Sequence, residues 1–230
     1  NLRDYGTDFL QFLSNKTKMW KLAVPVLHKA LNNEGSDQII DLASGGGGGL
    51  LWLNEDLRKS HPNLKVTLTD YYPNLDAFSF TKSQAGNFDY ISESVNALKV
   101  PEVLRGLRTQ FLSFHHFRPA EARSILQNAV DSKSPIAIFE AQERSLPSIL
   151  AMIFSPITVL LATPFIRPFK LGRIIFTYPI PIVPLFVMWD GIVSCLRTYS
   201  TKELHELVKG VKNNESYDWE IEKVKSGPGV

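Results

Sequence analysis

Two aspartates and a run of glycines carry the chemistry most readily placed in this chain. Gly45 to Gly49 follow directly on the apolar, β-branched run Gln38-Ile39-Ile40-Asp41-Leu42, so a buried strand empties into a turn of almost bare backbone. Glycine admits positive φ and lets a ligand approach with no Cβ in the way, and a helix that starts there aims unpaired N–H groups at it. A second run, Lys65-Val66-Thr67-Leu68-Thr69, ends in Asp70, a carboxylate placed where a ribose could offer two hydroxyls. A ligand-free turn, or an aspartate that merely caps the turn before Pro73, would account for each part alone. The strand, the glycines, the helix and the strand-end aspartate in that order favour a nucleotide site.

Further along, His115 and His116 offer imidazoles that titrate near neutral pH, so either could deprotonate an acceptor. Packing and hydrogen bonding near a ligand is their plainer reading. Glu140, Glu143 and Arg144 follow a predicted strand on the ligand side of the sheet, as substrate contacts or as a surface salt network. Asp190 and Arg197 bracket Gly191-Ile192-Val193-Ser194-Cys195 and read as a junction ion pair or as substrate contacts, with Trp189 in a lid or the core. No His-Glu-x-x-His and no paired cysteine motif supports a metal site. Gly-Lys-Ser, Gly-Lys-Thr and Gly-x-Ser-x-Gly are absent too, which disfavours phosphate-cradling hydrolases and nucleophile-elbow hydrolases.

The elements that must position these groups alternate along the chain. Asp8 to Leu31 has a helical apolar rhythm interrupted by Pro25, giving covering helices within 1–37. Strands are expected at Gln38 to Ala43, Lys65 to Asp70, Phe88 to Ser92, Gln110 to Phe114 and Ile136 to Glu140. Helices fall over Leu50 to Ser60, Leu75 to Gln84 and Pro119 to Val130. This is the βαβ alternation of a doubly wound, mainly parallel sheet with helices on both faces, whose ligands sit outside the carboxyl ends of the strands. Ser200 to Val208 reads as a capped amphipathic helix and Tyr217 to Val224 as a late strand, with the last strand of the fold incomplete at Ser226 to Val230.

At 230 residues and 44% hydrophobic content the chain can bury one generous core, and a single domain over 1–230 is expected. A net charge of +2 with scattered Lys and Arg disfavours nucleic acid as partner. The lone Cys195 fits a reducing compartment, so a cytoplasmic location is expected. No signal peptide opens the sequence, which begins at Asn1 with no methionine, so lost upstream residues and a targeting segment among them stay open.

One stretch breaks the alternation. Ser145 to Ile166 and Ile174 to Trp189 hold no charged side chain, and Arg167, Lys170 and Arg173 form a basic elbow between them. Prolines at 147, 156, 164, 179, 181 and 184 argue against a membrane-spanning hairpin. Two readings of 145–189 stand: a lid over the substrate pocket with its apolar residues turned into the core, or a cap that rests peripherally on a membrane with the elbow near headgroups.

Asp41-Leu42-Ala43-Ser44-Gly45-Gly46-Gly47 resembles the first motif of the class I S-adenosylmethionine-dependent methyltransferases, with Ala43 in place of the first glycine. Asp70 matches the family's ribose-binding acid. Asn96, in Ser94-Val95-Asn96-Ala97, stands where the family often has an aspartate on the adenine amino group. Phe114-His115-His116-Phe117, a helix, and Ile136-Ala137-Ile138-Phe139-Glu140 are similar to the small-molecule branch, especially the quinone C-methyltransferases, in which an insertion follows the fifth strand. The resemblance implies a Rossmann-like, seven-stranded-type sheet and S-adenosyl-L-methionine as cofactor. It implies cofactor contacts at Asp41, Ala43, Ser44, Gly45, Gly47, Asp70, Tyr71, Asn96 and Ala97. Catalytic roles fall to His115, His116 and Glu140, and substrate contacts to Arg144, Trp189, Asp190 and Arg197. The expected reaction is methyl transfer to a hydrophobic small molecule, lipid or quinone-like. The alternatives are a degenerate fold that binds a membrane surface or a partner, and, behind it, an NAD(P)-dependent oxidoreductase.

Overall fold

Five parallel strands in the order β3-β2-β1-β4-β5 form the sheet of the computed structural model, which describes residues 2–224. They are β1 (Gln38–Asp41), β2 (Lys65–Leu68), β3 (Phe88–Tyr90), β4 (Leu107–Phe111) and β5 (Ile136–Phe139). Successive side chains of a strand point to opposite faces, so Ile39 enters one core and Ile40 the other. Helices α2 (Val24–Glu34), α3 (Leu51–Leu57) and α4 (Leu75–Gln84) cover the first face through Leu27, Leu53, Leu57 and Phe78. Helices α5 (Pro119–Asp131) and α10 (Thr201–Lys209) cover the second through Ala122, Ile125, Leu126 and Leu207. The α/β class with helices on both faces is as expected, whereas seven strands are not seen among the described residues.

Local chemistry sets the boundaries. Pro25 does not interrupt a helix but opens α2, where its missing N–H costs nothing. Ahead of it, α1 (Leu2–Thr17) starts earlier than Asp8 and is joined to α2 by a 3-10 turn at Met19–Ala23. Ser200 caps α10 in a reciprocal box with Glu203, whose carboxyl is held below its usual range by the Ser200 backbone N–H and hydroxyl. β4 begins at Leu107, not Gln110, because Arg108, Thr109 and Gln110 are polar yet wholly buried. The Arg108 guanidinium donates to Asn128 Oδ1 at 3.0 Å.

Tyr217 to Val224 is not a strand. The Tyr217 hydroxyl instead donates to the carbonyls of Ala129 and Ser134 at 3.0 and 3.2 Å, and the Trp219 indole donates to Asn214 O at 2.9 Å. The Tyr217 anchor holds the chain against the end of α5. The tail Ser226 to Val230 lies outside the described residues.

The uncharged limbs fold as α6 (Leu146–Ile153), α7 (Ser155–Ala162), α8 (Leu171–Ile175) and α9 (Ile182–Arg197), the last running past Trp189 into the rest of the chain. α6 and α7 both pack on α9. Phe9 of α1 joins Val159, Ala162, Ile166, Val183 and Val187 in a third core. The apolar residues of 145–189 turn inward only in part: Leu146, Leu161 and Trp189 are 68%, 70% and 67% exposed. Among the described residues no single helix is long and apolar enough to cross a membrane. Two bent pairs, 146–153 with 155–165 and 182–197 with 201–209, pass by length and composition only.

The basic elbow is also not where it was expected. Arg173 is buried, donating to Asp8 Oδ2 of α1 at 2.6 Å and to the carbonyls of Ile166 and Pro168. Lys170 joins the same carboxylate oxygen at 2.8 Å, and Arg167 donates to Pro164 O. Two of the three cations thus form an internal clasp, because a guanidinium taken out of water needs a carboxylate and carbonyls around it.

Candidate functional site

Strand order reverses between β1 and β4, where crevices at the carboxyl ends of parallel strands receive ligands. Asp41 ends β1 there, opposite Thr109 of β4 in register, and its Oδ1 accepts from the Thr109 hydroxyl at 2.6 Å. It is 2% exposed, and burial pushes its pKa up to about 7, further raised by nearby Asp70 and opposed by the Thr109 bond. The Asp41 carbonyl collects the Ser44 hydroxyl, the Thr69 N–H and the Thr69 hydroxyl, each at 2.9 Å, which welds the bend after β1 to the end of β2.

Inside the bend, Ala43 stands at φ 55, a left-handed conformation that alanine adopts only under constraint from its surroundings. Gly47 stands at φ 70, and a Cβ there would collide with the Leu68 side chain, so this position demands glycine. Asp70 reaches across to the bend: its Oδ2 accepts the Gly45 N–H at 2.9 Å and its Oδ1 the Tyr72 N–H at 2.8 Å. Arg3 of α1 lies 3.8 Å from the same carboxylate.

The glycines are not an open cradle. α1 lies along them: Ser14 donates to Gly49 O, Asn15 to Gly48 O, and Gln11 sits where side chains at Gly46 and Gly48 would be. On the other side the buried Thr81 hydroxyl donates to Gly46 O at 2.8 Å. The open face is beside Gly45, a cavity of about 340 Å³ that Arg3, Thr7, Gly45, Tyr72 and Asn74 help to line. Tyr71 is exposed, its ring edge-on to Tyr72 at 4.8 Å. Asn96 is exposed and its Oδ1 accepts the Leu98 N–H, while Ala97 is buried. Their loop is tied to the end of β2 by the Val95 N–H on Asp70 O and the Ser94 hydroxyl on Tyr71 O.

A second constellation lies past β4 and β5. His115 is 3% exposed, its Nδ1 is 2.8 Å from Glu140 Oε2, and its backbone N–H donates to Glu140 Oε1. The Gln142 amide donates to Glu140 Oε2 at 2.8 Å. A carboxylate is the better acceptor for the Nδ1 proton, which leaves Nε2 bare to accept the Ser194 hydroxyl at 3.0 Å. Ser194, Gln142, Gln11, Ser14 and Asn15 were not anticipated from the sequence. Polar Ser14 and Asn15 within an otherwise apolar helical rhythm were the signal available. The His116 ring lies tilted beside that of His115, at 4.1 Å between ring centres; protein packed around it and the neighbouring imidazole push its pKa below the usual value.

The residues assigned to substrate do not converge. Arg144 donates to Glu203 and to Thr198 O, fastening the start of α10. No ion pair joins Asp190 to Arg197 among the described residues: two turns apart on α9, they cannot meet, and Arg197 instead donates to His116 O at 2.6 Å. Trp189 points to solvent.

No family model and no curated protein matches the chain. Among solved structures it is similar to one from Nostoc punctiforme PCC 73102, named a putative O-methyltransferase, at 16% identity and a TM-score of 0.45, over 86% of this chain. The chain spans about half, 52%, of that structure's length.

Proposed function

We infer that the protein transfers a methyl group from S-adenosylmethionine to a hydrophobic small molecule. The observation that carries this reading is Asp70, just past the carboxyl end of β2, held by the N–H groups of Gly45 and Tyr72, two residues that line a cavity there. The residues fit the cofactor. A buried Asp41 with its pKa at about 7 is poised for a cationic amino group, which would draw its proton off, and Asp70 has the carboxylate that a ribose diol needs. Asn96 and Ala97 follow the loop tied to Asp70 and would meet the base. When bound, the cofactor supplies an electrophilic methyl.

The chain's own contribution is position and proton transfer. Glu140 fixes the His115 tautomer, and His115 Nε2 takes a proton through the Ser194 hydroxyl or directly once that hydroxyl turns away. Much of the remaining acceleration comes from holding acceptor and donor in line away from water. Cytoplasmic placement belongs to the same reading.

Calorimetric titration with S-adenosylhomocysteine tests it. Binding that Asp70→Ala abolishes, with a His115→Gln variant that binds but transfers no labelled methyl, supports the enzyme. The cover of α1 on the glycines and Arg3 beside Asp70 favour a second reading, a fold that keeps this geometry without the chemistry. No heat from the intact chain selects it.

A further inference from the structure

Three helices of the uncharged segment wear their large apolar side chains on the outside. On α9, Ile182, Leu185 and Trp189 stand at i, i+3 and i+7, one stripe of a helix, and all are exposed, while Val183 and Val187 turn inward. α7 repeats the arrangement: Ser155, Val159 and Ala162 are buried, and Ile157, Leu160 and Leu161 face out. On α6 no residue is buried, and Leu146, Leu150 and Ile153 form an exposed stripe at i, i+4 and i+7. A helix that packs on a core from water does the reverse. Among the described residues, eighteen of the twenty-six large exposed apolar side chains lie between Leu146 and Leu196, so this is a patch and not the scatter common to protein surfaces.

Charge decides what covers it. The stripes come from stretches with no charged residue, and Lys170 and Arg173 of the elbow are spent on Asp8. A protein partner with a polar rim finds no charge within the stripes themselves, and an anionic surface finds Arg167 at the elbow and Arg197 at the far end of α9. The complementary surface is an uncharged one of indefinite extent. We propose that α6, α7 and α9 dock the protein in the plane of a neutral lipid bilayer, their stripes sunk to the boundary of headgroups and acyl chains. Trp189 and Tyr178, aromatic rings with a polar handle, suit that depth. Because the cations are used internally, apolar burial and not headgroup charge supplies the affinity. This inference does not depend on the methyl-transfer reading.

Flotation of the full chain with pure phosphatidylcholine vesicles, at low and at high salt, tests it. The protein is expected to float equally at both. Leu161→Glu and Trp189→Glu, each at an exposed position and checked for an unchanged circular dichroism spectrum, are expected to cut the bound fraction at least tenfold. Trp189 is the one exposed tryptophan among the described residues, so a blue shift of emission on adding vesicles should vanish in Trp189→Phe. Failure to float overturns the proposal, as does flotation that needs anionic lipid and is lost in salt. A dimer in vesicle-free buffer that Leu161→Glu dissociates, with no flotation of the parent, overturns it in favour of a second copy.

Discussion

Around the sheet, Leu27, Ile39, Ile40, Leu68 and Phe78 go inward, and of the polar groups that enter, Asp41 and Thr109 bond each other while Arg108 has one partner, Asn128. From Leu146 to Leu196 the sorting is partial: Val159, Ile166, Val183 and Val187 go inward with small Ser155 and Ala162, and many leucine, isoleucine and phenylalanine side chains and Trp189 face out. The sheet half is organised by the ordinary preference of apolar surface to leave water. The helical half adds to its own small core side-chain packing over a glycine, as the Met152 side chain over Gly191 illustrates, and keeps many large side chains outside. The two halves meet at Asp8, whose carboxylate matches the buried Arg173 charge.

The comparison breaks most completely at that meeting point. Asp8→Ala leaves the buried Arg173 guanidinium without its carboxylate and should cost about 3–5 kcal/mol in chemical denaturation, with partial recovery in an Asp8→Leu, Arg173→Met double variant. Gly47→Ala should follow at about 2–4 kcal/mol, since the new methyl meets Leu68 and the backbone is left-handed. A smaller fall would mean that the bend relaxes.

Asp41→Asn sharpens the contrast by moving the other way. Burial raises the Asp41 pKa from 3.8 to about 7, so between those values the folded chain holds a proton that the unfolded chain has released. Stability therefore falls as pH rises through that window, and the asparagine variant should be more stable at pH 8 by about 1–3 kcal/mol with a flatter pH profile. Thermal melts from pH 5 to 8 measure both. Gly191→Ala, where the flexible Met152 thioether can shift, should cost about 1 kcal/mol. Arg144→Ala, which removes a half-exposed ion pair, should stay within about 0.5 kcal/mol.

Legibility followed the same divide. α5 and the Ser200 cap could be read from spacing, because each depends on neighbours in sequence, whereas the bond between Gly45 and Asp70 spans two strands. The start of β4 was hidden by Arg108 and Gln110, polar residues that local pattern assigns to the surface and whose burial rests on tertiary packing. The partner of the elbow, Asp8, lies far away in sequence, and no spacing rule connects it to Arg173. Ser194 was passed over for the charged residues flanking it, although it is Ser194 that meets His115. The supposed strand after Tyr217 has the right composition but spends its aromatic side chains on anchors to α5 and its own turn.

Asp8, Gln11 and Asn15 stand on one rod, each about a turn from the next. The first grips Arg173, the other two press on the polyglycine corner. A rod cannot tilt at one end alone, so whatever tugs the Arg173 elbow also levers the side chains that press on the polyglycine corner, and α1 is in that sense a crankshaft between them.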